Sequence, residues 1–159
     1  MQPYKISQAE NFYYRFTSKV GTVYVCYFIS YGFLFDNFPE ISADIFAFNI
    51  DVEKGAAKEQ PLDIAIAATV VEIIKKFLAI KENAVLYICD STDHKEHIRK
   101  RKFDNWFQKH DDGTIIKIDH KAILEQVIIF NSLLIHKDNP MKNRFITAFA
   151  QLNNDANNK

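Results

Sequence analysis

IFAFNIDVEKGAAKEQPLDIAIAATVVEIIKKFLAIKENAVLYICD, residues 45–90, is the stretch whose reading decides the architecture. Its first eight residues, IFAFNIDV, have the apolar, aromatic character of a strand. EKGAAKEQ is a polar connector. Pro61 then suits the first position of a helix, where its missing N–H costs nothing, and Asp63 complements the helix dipole in the first turn. From there to about Ile80 apolar residues cover most of the helical circumference, which predicts deep burial. ENAVLYICD (82–90) returns to strand formers. A strand, a helix and a strand in that order predict a crossover unit in which the two strands run parallel.

Upstream, FYYRFTS (12–18) and TVYVCYFIS (22–30) flank KVG, with Gly21 at the turn of a hairpin, and a shorter strand is expected at Tyr4–Ile6. GFLFDNFPEISAD (32–44) reads as a loop punctuated by Gly, Asn and Pro. Downstream, STD (91–93) starts a second helix, HKEHIRKRKFDNWFQKH (94–110), which the DDG turn at 111–113 ends. TIIKIDH (114–120) and VIIFNSLLIH (127–136) read as strands. Asn139 and Pro140 then open a last helix, MKNRFITAFAQL, and NNDANNK (153–159) reads as a disordered polar tail. The result is an α/β (α+β) class with a mixed sheet in the order β-β-β-α-β-α-β-β-α, expected as one domain over residues 1–152. Three strands, helix, strand, helix, strand is also the opening order of the ribonuclease H-like fold, which this chain distantly resembles in topology.

Composition bounds the function. The 159 residues suit a single domain, and the 20 basic side chains cancel the 20 acidic ones, so no global field draws the molecule to nucleic acid or to an anionic membrane. The two cysteines, Cys26 and Cys89, lie in apolar runs and read as buried thiols of a reducing compartment. MQPYKISQAEN has no apolar signal core, and the helical run from Leu62 to Ile74 falls short of the ~20 apolar residues of a membrane span. A cytoplasmic protein without membrane partners is expected.

One pattern asks for a partner. The strand at 22–30 puts Val23, Val25, Tyr27 and Ile29 on one face and Tyr24, Cys26 and Phe28 on the other, so both faces are apolar. The preceding strand adds Phe12, Tyr14 and Phe16 to one face and Tyr13 to the other. Either the last helix covers the second face, or a homo-oligomer or protein partner does so through these N-terminal strands.

The densest polar signal lies at 87–107. Lys95, Arg99, Lys100, Arg101, Lys102 and Lys109 outnumber Glu96 and Asp104 along 95–109, with Phe103, Trp106 and Phe107 interleaved. Lys95, Lys100, Lys102 and Lys109 could contact a nucleic-acid backbone, and weakly at most, because a solvated amphipathic helix explains the same pattern. At about 100° per residue, Ile98, Phe103, Trp106 and Phe107 share a broad sector with Arg99 in its middle. A guanidinium there needs a partner, and Asp90, then Asp93, is the nearest carboxylate. The structural reading is an ion pair tying a strand end to the next helix. The functional one is a binding site built from Asp90, Asp93, Arg99 and Arg101 at the carboxyl end of a strand.

No catalytic template fits. The first strands carry no carboxylate for two-metal nuclease chemistry, and four glycines form no phosphate-cradling loop. Asp90, Asp93, His94 and His97 match no metal-ligand spacing, so neither a metal nor a cofactor is expected. The leading reading is a non-enzymatic binding or interaction domain. A nucleic-acid-binding protein and an enzyme acting on a nucleic acid or phosphorylated substrate near Asp90 are the alternatives.

The block Cys89-Asp90-Ser91, then Asp93, Arg99, Arg101, Phe103 and Trp106-Phe107, resembles the signature of a family of small bacterial proteins of Bacteroidota known as a domain of unknown function. Ser132-Leu133-Leu134-Ile135 followed by Lys137-Asp138-Asn139-Pro140 is similar to its second block, with His136 where members often carry a basic residue. The resemblance implies an intracellular bacterial protein and brings no activity or catalytic residue with it.

Overall fold

The computed structural model describes residues 2–55, 64–89 and 94–157. Its elements are β1 (Ser7–Glu10), β2 (Tyr13–Thr17), β3 (Val23–Ser30), β4 (Ile45–Lys54), α1 (Ile64–Leu78), β5 (Ala84–Cys89), α2 (Glu96–His110), β6 (Ile115–Leu124), β7 (Val127–His136) and α3 (Lys142–Asn157). The strands form one sheet in the order β1-β2-β3-β4-β5-β7-β6. The β4–β5 pair is parallel and every other pair antiparallel, so the expected crossover joins an antiparallel meander to an antiparallel hairpin. The mixed α+β class read from the sequence is the class observed.

Alternation along the strands separates two layers. On one face Phe16, Tyr24, Phe28, Phe46 and Phe48 meet Ile66, Val70, Ile73 and Phe77 of α1, while Phe103 and Phe107 of α2 extend that core over Val85 and Leu134. Phe77 is its centre, stacked on Phe28 at 3.8 Å between ring centroids and edge-on to Phe46 at 5.1 Å. Such ring pairs add stabilisation beyond their buried area. On the other face Phe145, Ala148 and Phe149 of α3 pack on Leu86, Leu133 and Ile135, together with Phe35, Phe38 and Ile41 from the loop after β3.

That loop carries two short 3-10 turns, Gly32–Phe35 and Ser42–Asp44, which drive its aromatics into the α3 layer. Gly32 is obligatory there, because a Cβ would sit 2.1 Å from the Ser42 carbonyl oxygen. The short N-terminal strand lies at Ser7–Glu10 rather than at Tyr4–Ile6. Tyr4 instead stacks on Phe16 at 6.1 Å and donates its amide to Thr69 Oγ1 at 2.7 Å, exchanging a strand position for a core contact. Pro61 and Asp63, read as the helix start, lie outside the described residues, as do Ser91–Asp93. The strand expected to end at His120 runs on to Leu124. It turns through Glu125 and Gln126, both at positive φ (50° and 69°), the backbone of a two-residue hairpin loop. α3 likewise continues past Leu152 to Asn157 where a disordered tail from 153 was expected. Asn153 is the reason: it is buried, and its side-chain amide donates to the Phe149 carbonyl at 2.8 Å.

Candidate functional site

The carboxyl end of β5 lies beneath α2. Tyr87 and Cys89 point to the α2 side of the sheet, where the Tyr87 ring stacks on Phe103 at 3.9 Å. Arg99, in the first turn of α2, is half-buried and lies near Cys89, as does Tyr87 on the same strand face. Burial pushes the Cys89 thiol up, and the contacts with Tyr87 and Arg99 offset only part of that shift. Asp90 and Asp93, the carboxylates expected beside Arg99, lie outside the described residues.

The wheel of α2 is turned from the one expected. Glu96, Phe103 and Phe107 are the buried residues, and Ile98 is 62% exposed. The inward meridian runs through positions spaced by seven and four, which puts Ile98 more than about 130° away from it. Arg99 therefore sits at the edge of the buried arc, not at its centre. Glu96 brings a carboxylate into that arc. Its Oε1 lies 3.7 Å from His97 Nε2, and its buried Oε2 has no hydrogen-bond partner among the described residues.

The basic side chains divide into two groups. Lys100 turns inward, pairs with Asp104 at 2.5 Å and lies 5.7 Å over the Phe130 ring. The hydrogen bond from Lys100 to Asp104 pushes the Lys100 pKa up. Lys95, Lys102 and Lys109 are exposed and share one outer stripe by their seven-residue spacing, with Lys102 over the Trp106 ring at 5.2 Å. Arg101 is exposed on another side of the helix. The four lysines therefore do not form one continuous surface.

Next to this helix lies an ion network that sequence reasoning did not single out. Lys117 of β6, its side chain 14% exposed, bridges Asp104 Oδ1 of α2 at 2.7 Å and Asp119 Oδ1 at 2.5 Å. Buried Ser132 of β7 donates to the same Asp119 oxygen at 2.5 Å. Burial pushes the Asp119 carboxyl up, but the bonds from Lys117 and Ser132 outweigh it and hold it below the usual range. The signal was in the sequence: Lys117 and Asp119 alternate with Ile116 and Ile118, and the polar face of that strand meets α2 instead of water. Each charge in the network is already matched, which makes it a clamp between α2 and the sheet. Among the described residues no three His, Cys, Asp or Glu side chains converge as metal ligands.

The second candidate region is the α3-side face of β2 and β3. α3 covers β5, β7 and β6, and the 3-10 loop covers the start of β4. Beyond them lie Tyr13, Val25, Tyr27 and Ile29, with Ile29 45% exposed. The Tyr13 and Tyr27 rings stack at 5.4 Å with 7° between planes. Tyr27 donates to Asp51 Oδ2 at 2.6 Å, and that bond, with burial, pushes its phenol up to about 12. Arg15 pairs with Glu53 at 2.7 Å on the same face. Past the end of β3, Phe33 is 64% exposed and touches the Tyr31 ring at 5.0 Å. The last helix, which packs on β5, β7 and β6, does not extend over this face. Among the described residues no helix is long and apolar enough to cross a membrane.

Residues 63–151 match the model of a family of unknown function, DUF6169. That span begins at the start of α1 and leaves the β1–β4 meander outside it. No curated protein and no solved structure matches the chain.

Proposed function

The chain belongs to the DUF6169 family, and we propose that it is a non-enzymatic interaction domain whose contact surface is the open face of β2 and β3, occupied by a second copy of the chain. The observation that carries this reading is the stacked Tyr13–Tyr27 pair, flanked by Val25 and Ile29, on a sheet face that none of the described helices covers. Rigid aromatics set among aliphatic residues are the side chains that dominate protein–protein contacts. Arg15, paired with Glu53, and Asp51, across Val25 from it, give the face both signs of charge. A two-fold axis lays each such patch on its own copy, and charges of both signs on it let the two copies complement one another. The carboxylates disfavour nucleic acid at the same place.

Size sets the strength. The strands β1 to β4, which are 4, 5, 8 and 10 residues long, rise about 3.4 Å per residue and lie about 4.8 Å apart, so the face is at most roughly 440 Å² per copy. Two copies bury less than about 900 Å², below the standard range for a specific interface, so the association is weak, with Kd on the order of 10 μM or weaker. The test is the concentration dependence of thermal unfolding. A dimer raises Tm as protein concentration rises. Val25→Asp, which places a charge at the centre of the face, should abolish that rise. A wild-type Tm independent of concentration across the micromolar range refutes the proposal.

A further inference from the structure

Under the last turns of α3 the layer between helix and sheet does not close. A cavity of about 190 Å³ remains, walled by Leu34, Leu86, Ile129 and Leu152 and floored by Ala122. Ala122 creates it: on β6, opposite Ile129, a side chain of one carbon leaves the space that a larger residue would fill. Ile88 also lines the cavity and is 38% exposed, which places it at the mouth. The polar side chains in the lining are Asn131 and Asn153, both more than nine-tenths buried and both neutral. Asn153 is held in place by its bond to the Phe149 carbonyl.

We propose that this cavity is a binding site for a small neutral apolar group, an unsubstituted monocyclic aromatic ring. Volume decides the class. Apolar cavities of about 150 Å³ stay dry and take up benzene, whereas sites for drug-sized ligands and cofactors begin at about 300 Å³. The lining carries no charged side chain, so a carboxylate or phosphate placed inside would be uncompensated. The surface facing the cavity is almost wholly apolar, and the Asn153 amide is already donated to the Phe149 carbonyl, so a hydroxyl placed inside would go unbonded. The site lies on a different part of the sheet from the open face of β2 and β3, and it stands independently of the proposed dimer.

The experiment is a titration of the full chain with benzene and with phenol, followed by backbone amide shifts in heteronuclear NMR. A ring of six or seven non-hydrogen atoms in such a site corresponds to a Kd on the order of 1 mM. Saturable shifts centred on Leu34, Ile129 and Leu152, with benzene binding more tightly than phenol, are expected. Ala122→Leu fills the floor and Ile129→Trp, at a half-buried position, fills the mouth; each should weaken binding at least tenfold. If Ala122→Leu overpacks and fails to fold, Ile129→Trp carries the comparison. Shifts that do not saturate, or that persist unchanged in a folded filled variant, overturn the assignment.

Discussion

Replacing Lys117 by Met keeps most of the stem that packs under α2 and removes the charge that bridges two carboxylates. Asp104 then retains Lys100, so its loss resembles that of an exposed pair, about 0.5 kcal/mol. Asp119 keeps only the Ser132 hydroxyl and loses a charge-assisted hydrogen bond in a half-buried setting, about 1.5 kcal/mol. The expected total is roughly 2 kcal/mol, between the values for exposed and fully buried pairs. With a urea m-value of about 2 kcal/mol/M, the midpoint falls by about 1 M, read from Trp106 fluorescence. Lys100→Met should cost only about 0.5 kcal/mol, because Lys117 still holds Asp104. Adding Asp119→Asn to Lys117→Met should recover part of the loss, a coupling that a double-mutant cycle measures directly. Asp119 is held below its ordinary 3.8, so its share of stability is present above that value and disappears as pH falls through the lowered one. Equal small losses in Lys117→Met and Lys100→Met, with no recovery on Asp119→Asn, would refute the clamp.

Arg99→Ala should cost about 1–2 kcal/mol in urea unfolding, through the loss of a half-buried charged side chain and its packing, while exposed Arg101→Ala stays within about 0.5 kcal/mol. Both thiols are buried and pushed up by burial, so native protein should resist a disulfide reagent that titrates two thiols once the chain is unfolded; fast labelling of the native protein contradicts the packing of β3 or β5. Asp112 is held at about 2 by hydrogen bonds from Thr114 and by Lys75, so its contribution is present above 3.8 and lost as pH falls toward 2. Asp112→Asn should flatten the acid limb of the stability curve in that window. Contacts limited to Lys95, Lys102 and Lys109 give any oligonucleotide binding a log–log salt slope near −3, and sequence-selective binding that survives physiological salt would show that α2 is a dedicated reader.

What was legible in the sequence followed from long periodic segments. Residues 45–90 announce strand, helix, strand because Pro61, an apolar helical run and a return to strand formers all point one way. The alternation in 22–30 correctly assigned Tyr24, Cys26 and Phe28 to one face and Val23, Val25, Tyr27 and Ile29 to the other. Legibility failed where the deciding interaction was non-local or carried no special residue. Glu125-Gln126 forms a hairpin turn without the Asn or Gly that marks one, so β6 was read four residues short. Asn153 looked like the start of a polar tail because nothing local says that its amide is buried and bonded inside the last helix. The inward meridian of α2 is fixed by where Phe103 and Phe107 meet the sheet, and its own mixed composition could not place Ile98 outside. Lys117 and Asp119 carried no signal of their own because their partner, Asp104, comes from a different element. The cavity was invisible for the same reason: Ala122, Leu152 and Leu34 come together only in three dimensions.

The central claim is that the open face of β2 and β3 is an interface. Light scattering coupled to size exclusion, on wild-type protein and on the Tyr27→Arg/Ile29→Asp double variant, tests it most directly. Loaded from about 5 to about 200 μM, spanning the expected Kd, wild-type protein should rise from the mass of one chain toward twice that value. The double variant should stay at one chain throughout, with its circular dichroism unchanged. A wild-type mass fixed at one chain over the whole range, or a double variant that associates as the wild type does, contradicts the account.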